Sequence, residues 1–316
     1  MKYDNIRELS YEMTEEIQLI YKQFTPKGAP LDLKKLDELM KGAIDTHIHP
    51  APDAYAARPF DDIQLAIQAC EMGMGAVVYK CHSFPTARSA RITQRIVDEW
   101  AKANGKERTQ VIGGAVLNYN IGGLNPQAVE SVAGLGGRFI WTPNLDSAHH
   151  KKISGLSGGI EVVDSHNRVT SEFAEILKLI AKHDLVLSIT HHSTKERFIM
   201  VEAAVELGVR RIEICHPNAP STKMTLDQME HVAKKGAYLG IYCVNFAPPL
   251  FDIDEAIEAI RTIGAEHFVL GTDLGNWRVP PPAINYRIFL GLLLEGGIPE
   301  PDIEKMAKHN PRKLIF

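Results

Sequence analysis

No apolar run in the 316 residues approaches the ~18 needed to cross a bilayer, so no membrane span is expected. Positive charge is not in excess either. The 35 Lys and Arg against 39 Asp and Glu leave a net charge of −4, which argues against a broad basic face for nucleic acid or anionic lipid. Cysteine is scarce: Cys70, Cys81, Cys215 and Cys243, with no C-x-x-C spacing. No disulfide framework is implied, and a reducing cytoplasm is the expected setting. The opening MKYDNIRELSYEMTEE is charged and lacks the apolar centre of a secretory signal. Also missing is a Gly-rich phosphate turn after the first strand-like run. The chain reads HPAPD there, unlike an open nucleotide-binding sheet.

What is present is alternation. Apolar runs of strand character lie at 43–49, 75–81, 110–117, 137–142, 185–190, 210–215, 237–243 and 266–272. Amphipathic helical patterns fall between them, for example at 61–72, 89–104, 171–183, 195–207, 225–235 and 254–263. Eight strand–helix units predict an α/β fold, a (β/α)8 TIM barrel over 43–316. Residues 1–42 predict an N-terminal helical extension that caps it, apolar at Ile17, Leu19, Ile20, Leu33, Leu36 and Leu39 and broken at TPKGAP. The Gly-, Ser-, Asn- and His-rich segment 143–169 reads as an active-site loop after the fourth strand.

In such a barrel the strand C-termini gather on one face, where chemistry is assembled. The first strand delivers His47 and His49, two residues apart, with Asp45 before them at the same spacing, so all three are expected on one face. The second delivers Lys80 and then His82, the fifth His191 and His192, the sixth His216, the eighth Asp273. Burying these groups unpaired would be costly. Each alone has an ordinary reading, a hydrogen-bonded core histidine or, for Asp273, a turn or helix cap. Together they form the imidazole and carboxylate set that binds a divalent metal. His183, His231, His267 and His309 fall at helix ends on the opposite side, and His149 and His150 read as solvated loop residues. Loop positions for substrate contacts are Asp53, Tyr55, Arg58, His82, Asn245, Asn276, Trp277 and Arg278; Arg58 and Arg278 would suit a carboxylate.

The segments DTHIHP, ITHHS, EICHPN, GTDLG and HNPRKLIF, spread from residue 43 to the end, together resemble the amidohydrolase superfamily of metal-dependent hydrolases, near its phosphotriesterase-like and TatD-like branches. The resemblance implies a barrel holding one or two divalent ions, zinc first, with manganese or another divalent ion as alternatives. It implies His47 and His49 as ligands of the first metal and Asp273 as ligand and general base. It implies His216 with one of His191 and His192 as ligands of the second metal, or a ligand plus a substrate contact if one metal binds. A ligand directly after a threonine favours His191. The NPRKL close implies a structural role. Many members bridge two metals with a carboxylated Lys or a Glu on the fourth strand. GRFIWTPNLD offers neither, and Lys80, carried as a carbamate, is the substitute; an ammonium paired with Asp45 or substrate is the alternative. The implied activity is hydrolysis of a C–N or C–O bond (amide, lactone or ester) in a small molecule by metal-activated water, with Asp273 taking the proton and His216 polarising the substrate oxygen. A metal-dependent decarboxylase or other lyase, a phosphoester hydrolase and a non-enzymatic binding barrel are the alternatives. Nucleic acid and membrane are not expected as partners, and a homo-oligomer stays open.

Overall fold

Val, Ile, Leu and Tyr runs short enough for strands, alternating with helices, build a parallel sheet that rolls up on itself. In the computed structural model residues 32–246, 253–275 and 281–316 are described. The strands are β1 (Ile44–Ile48), β2 (Ala76–Tyr79), β3 (Gln110–Ile112), β4 (Gly114–Val116), β5 (Phe139–Trp141), β6 (Val186–Ile189), β7 (Arg211–Cys215), β8 (Tyr238–Tyr242) and β9 (Phe268–Gly271). Parallel ladders run β1-β2-β3 and β4-β5-β6-β7-β8-β9. β3 and β4 are the two halves of the third predicted strand, 110–117, parted at Gly113. A Cβ at Gly113 would stand 2.5 Å from the Thr86 carbonyl oxygen, so only glycine lets the chain pass the start of helix Ala87–Ala103. The ring closes between β9 and β1, where Ile48 and Leu274 form a parallel bridge and His49 N–H donates to the Leu274 carbonyl at 2.8 Å. This is the predicted eight-stranded α/β barrel.

Helix starts are set locally. Asp61 with Gln64, Ser193 with Glu196 and Thr225 with Gln228 form reciprocal capping boxes that satisfy the first free N–H groups of their helices. Strand side chains then sort into two layers. Outward residues such as Val77, Leu187, Ile189, Ile212, Leu239 and Leu270 pack under the helices. Inward residues Ile44, Ala76, Val78, Val186 and Val269 fill the barrel with Leu314 and Ile315 from the C-terminal helix. The NPRKL close is structural, as expected. Buried Asn310 donates to the carbonyls of Ala265 and Phe268, and Arg138 and Arg211 hold the last carbonyls, Ile315 and Leu314 among them.

Of the expected N-terminal extension, residues 1–31 lie outside the described residues. Helix Leu33–Met40, capped by Asp32, places Leu36, Leu39 and Met40 in the outer apolar layer. Segment 143–169 is not loop alone: it carries helix Ala148–Ile153. No described helix is long and apolar enough to cross a membrane.

Candidate metal centre

β1 does not keep a simple alternation. Asp45 pairs with Val77 but Ile48 with Tyr79, so three steps on β1 match two on β2. Such a bulge turns the side chains beyond it. Asp45 therefore does not share the face of His47 and His49, contrary to the expectation from spacing. Its buried carboxylate accepts from Thr272 Oγ1 at 2.7 Å, Thr272 N–H at 2.9 Å and His47 N–H at 3.1 Å. Burial raises it to about 7 in spite of those bonds. It fastens β1 to the end of β9, one residue before Asp273.

His47 and His49 face inward and meet Asp273. His49 Nε2 lies 2.8 Å and His47 Nε2 3.0 Å from Asp273 Oδ1, and His216 Nε2 lies 3.2 Å from Oδ2. Three imidazoles from two strand ends, β1 and β7, thus converge on a carboxylate that follows a third, β9. Gly275 makes the approach possible. With φ +150°, it packs where a Cβ would fall 1.9 Å from the His49 carbonyl oxygen. His216 and Asp273 both have left-handed backbones, φ 52° each. On β7, Glu213 and Cys215 point inward, so alternation alone would turn His216 outward; the left-handed turn brings its ring back to the mouth.

Burial, and next the Lys80 charge, hold the His47 imidazole well below its usual value. Burial lowers His49 and sets His216 at about 4. Burial works to raise Asp273, but His47 and His216 outweigh it and keep the carboxylate ionised. Neutral imidazoles around an anion are the protonation states a divalent cation selects. His49 Nδ1 and His216 Nδ1 are buried without a hydrogen-bond partner, and an unmet donor or acceptor is expensive at such depth. His47, His49 and Asp273 each offer a ligand atom within 4.8 Å of the others, as do His47, Cys215 and His216, and His49, Asp53 and His82. The donor set fits a divalent ion.

His191 and His192 part company. The strand ends at Ile189, and His192 N–H turns back to the Thr190 carbonyl at 2.7 Å. His191 comes to the mouth, its ring centre 5.9 Å from that of His216, while His192 is buried against Thr142 Oγ1 at 3.1 Å. His191 belongs to none of the three clusters above. Lys80 points inward and is buried, its Nζ 5.8 Å from the centre of the Trp141 ring, and among the described residues it has no carboxylate partner, Asp45 included. His82 stacks on His49 at 4.7 Å and its Nδ1 is 2.8 Å from Asn144 Nδ2. Arg58 is already engaged, its Nε and a terminal nitrogen donating to Asp53 Oδ2 at 3.1 and 3.0 Å. Tyr55 is half exposed and donates to Asn120. Asn276, Trp277 and Arg278 lie outside the described residues, as does the side chain of Asn245.

Sequence reading missed a polar floor beneath the histidines. Glu213 accepts from Tyr242 Oη at 2.5 Å and Ser188 Oγ at 2.6 Å, and Cys215 Sγ is 3.2 Å from that phenol oxygen and 3.7 Å from His47 Nδ1. Burial raises Glu213 and drives the Cys215 thiol to about 12. Glu213 and Tyr242 sit in apolar runs at inward parity, which was the available signal. Arg197 had none. It is fully buried and donates to the carbonyls of Thr190 and Cys215, the residues before His191 and His216. His150 is half-buried with its Nδ1 3.2 Å from His191 Nδ1, so it is not the solvated loop residue expected.

Among solved structures, an amidohydrolase from Pseudomonas aeruginosa is similar at 13% identity and TM-score 0.60 over 88% of this chain and 97% of that one. A probable 2-pyrone-4,6-dicarboxylic acid hydrolase from Acinetobacter baumannii matches at 13% and 0.57 over 86% and 98%. A TatD homologue from Escherichia coli matches at 16% and 0.51 over 87% and 98%. At these identities the likeness is one of fold, and it is the fold that the amidohydrolase resemblance implied. No curated protein matches the sequence. The profile of a family of unknown function, DUF6282, matches residues 42–240, from the start of β1 into β8 and across most of the histidine-bearing strand ends, and the chain belongs to that family.

Proposed function

We propose that this protein is a metal-dependent hydrolase that cleaves an amide, lactone or ester bond of a small molecule. The observation that carries the reading is the convergence of His47, His49 and His216 on Asp273, within 3.2 Å, at the strand C-terminal mouth. His47, His49 and Asp273 would hold the first cation. His191 and His216 would hold a second, and Lys80, as a carbamate, is the bridging candidate. A bound divalent ion, most readily zinc, would supply positive charge that acidifies water and polarises a substrate oxygen.

The chain's own groups do the rest. Asp273 is kept ionised among neutral imidazoles, so it can accept a proton at a carboxylate oxygen and return it to a leaving nitrogen or oxygen. If a single cation binds, His216, 3.2 Å from Asp273 Oδ2, would instead donate to the substrate oxygen. The His82–Asn144 pair, beside His49, offers polar atoms that would orient the substrate. The test is metal analysis of purified protein, followed by assays on amides, lactones, carboxylic esters and phosphoesters with and without chelator. Chelator-sensitive cleavage of the first three classes is the expected result. Metal-dependent CO2 release from a carboxylic acid, with no hydrolysis, would replace this reading with a lyase.

A further inference from the structure

Beside the candidate centre, His191 meets an imidazole that the proposed chemistry has not used, that of His150. His150 Nδ1 and His191 Nδ1 are 3.2 Å apart, with ring centres at 5.0 Å. The contact is fastened at the backbone as well. Ser147 Oγ donates to the His191 carbonyl at 2.7 Å and accepts the His150 N–H at 3.0 Å. Gly159 closes in behind, where a Cβ would come within 2.5 Å of the Ala148 Cα. Burial, then His216 and Lys80, hold His191 neutral; burial, then Lys151 and His149, lower His150.

A neutral imidazole has one N–H and one lone pair. In a bond between two Nδ1 atoms one ring donates and the other accepts, so their tautomers are tied. If His150 donated, His191 would carry its proton on Nε2 and have no lone pair for a cation. If His191 donates, its Nδ1 holds the proton and Nε2 is free. Only the second case leaves His191 a lone pair on the nitrogen away from His150. His150, which is only half-buried, keeps its own proton on its outer nitrogen.

We propose that His150 is a positioning residue: it accepts the Nδ1–H of His191 and so fixes the tautomer in which His191 Nε2 is a ligand. This rests on the proposal that His191 serves the metal centre, and it assigns to the segment after β5 a task other than direct ligation. A histidine ligand is usually oriented by a carboxylate or carbonyl on its second nitrogen, and here a second imidazole takes that place.

The test is long-range 1H–15N correlation on metal-free protein labelled with 15N-histidine, with the His191 signals assigned by their loss in His191→Gln. In wild type His191 should show the Nδ1–H pattern. His150→Leu should shift it to Nε2–H or to a mixture, and His150→Asn, whose amide oxygen can accept, should restore it; circular dichroism checks the fold of each. Zinc affinity, read by chelator competition, should fall about 10- to 100-fold in His150→Leu and recover in His150→Asn. An Nε2–H pattern for His191 in wild type, or no change in His150→Leu, overturns the proposal. So does zinc binding in which both Nδ1 atoms shift as metal ligands, since His150 would then coordinate directly. Failure of zinc to bind, with His191 still Nδ1–H, upholds the positioning bond and sinks only the metal reading.

Discussion

The two ends of the barrel interior are built on opposite terms. At the strand N-termini, Ile44, Ala76, Val186 and Val269 close over Leu314 and Ile315, and buried Asn310 there donates to two carbonyls. At the C-termini, Glu213, Lys80 and Tyr242 lie under a ring of histidines, where His49 and His216 each keep an unpartnered buried nitrogen. The first end minimises free energy by burial and saturation. The second leaves polar groups unmet, which costs stability unless something binds there. Left-handed backbone at His216 and Asp273 adds to that cost, and both lie at the same end. The difference separates residues that hold the fold from residues that are held by it.

Four variants sharpen that contrast. Replacing His47 and His49 together by Ala should reduce bound divalent metal to background, measured by elemental analysis of purified protein. Undiminished metal would move the centre away from β1. Asp273→Asn should lower turnover of any substrate found by about 10²- to 10⁴-fold through loss of the proton acceptor, with circular dichroism unchanged. An active variant with the wild-type pH profile would leave Asp273 as a turn residue only. At the opposite end, Asn310→Ala should cost about 2–3 kcal/mol in urea unfolding by stripping two buried carbonyls of their donor, while metal content holds. A change in metal content there would show that the two ends are coupled.

The smallest effect concerns the scaffold behind the mouth. Burial pulls Glu196 upward, but His192 and Ser193 prevail and set it at about 2, against an ordinary 4.5. A folded-state value below the unfolded one stabilises above the unfolded value and fades as pH falls from 4.5 through 2. Glu196→Gln should therefore cost about 1 kcal/mol at neutral pH, with the gap to wild type closing in acid. A gap that stays constant across that range would remove the charge from the explanation.

By itself the sequence determined the barrel and which side chains lie at the ends of its strands. Apolar strand runs parted by amphipathic helical patterns are local signals, and the strand runs recur eight times, so strand order and the chemical face followed without any long-range information. His47, His49, Lys80, His216 and Asp273 were legible because they sit where those runs stop. Only tertiary structure decided how the side chains turn. The β1 bulge, set by pairing with β2, sent Asp45 to Thr272 and not to the histidines. The turn after β6 made His191, not His192, the ring at the mouth, and a left-handed residue returned His216 to the centre. Glu213, Arg197 and His150 acquire their places from partners 25, 18 and 41 residues away, in Ser188, Cys215 and His191. Residue type and spacing encode what a side chain can do; which groups meet is fixed by backbone turns and cross-strand register, which depend on segments remote in the chain.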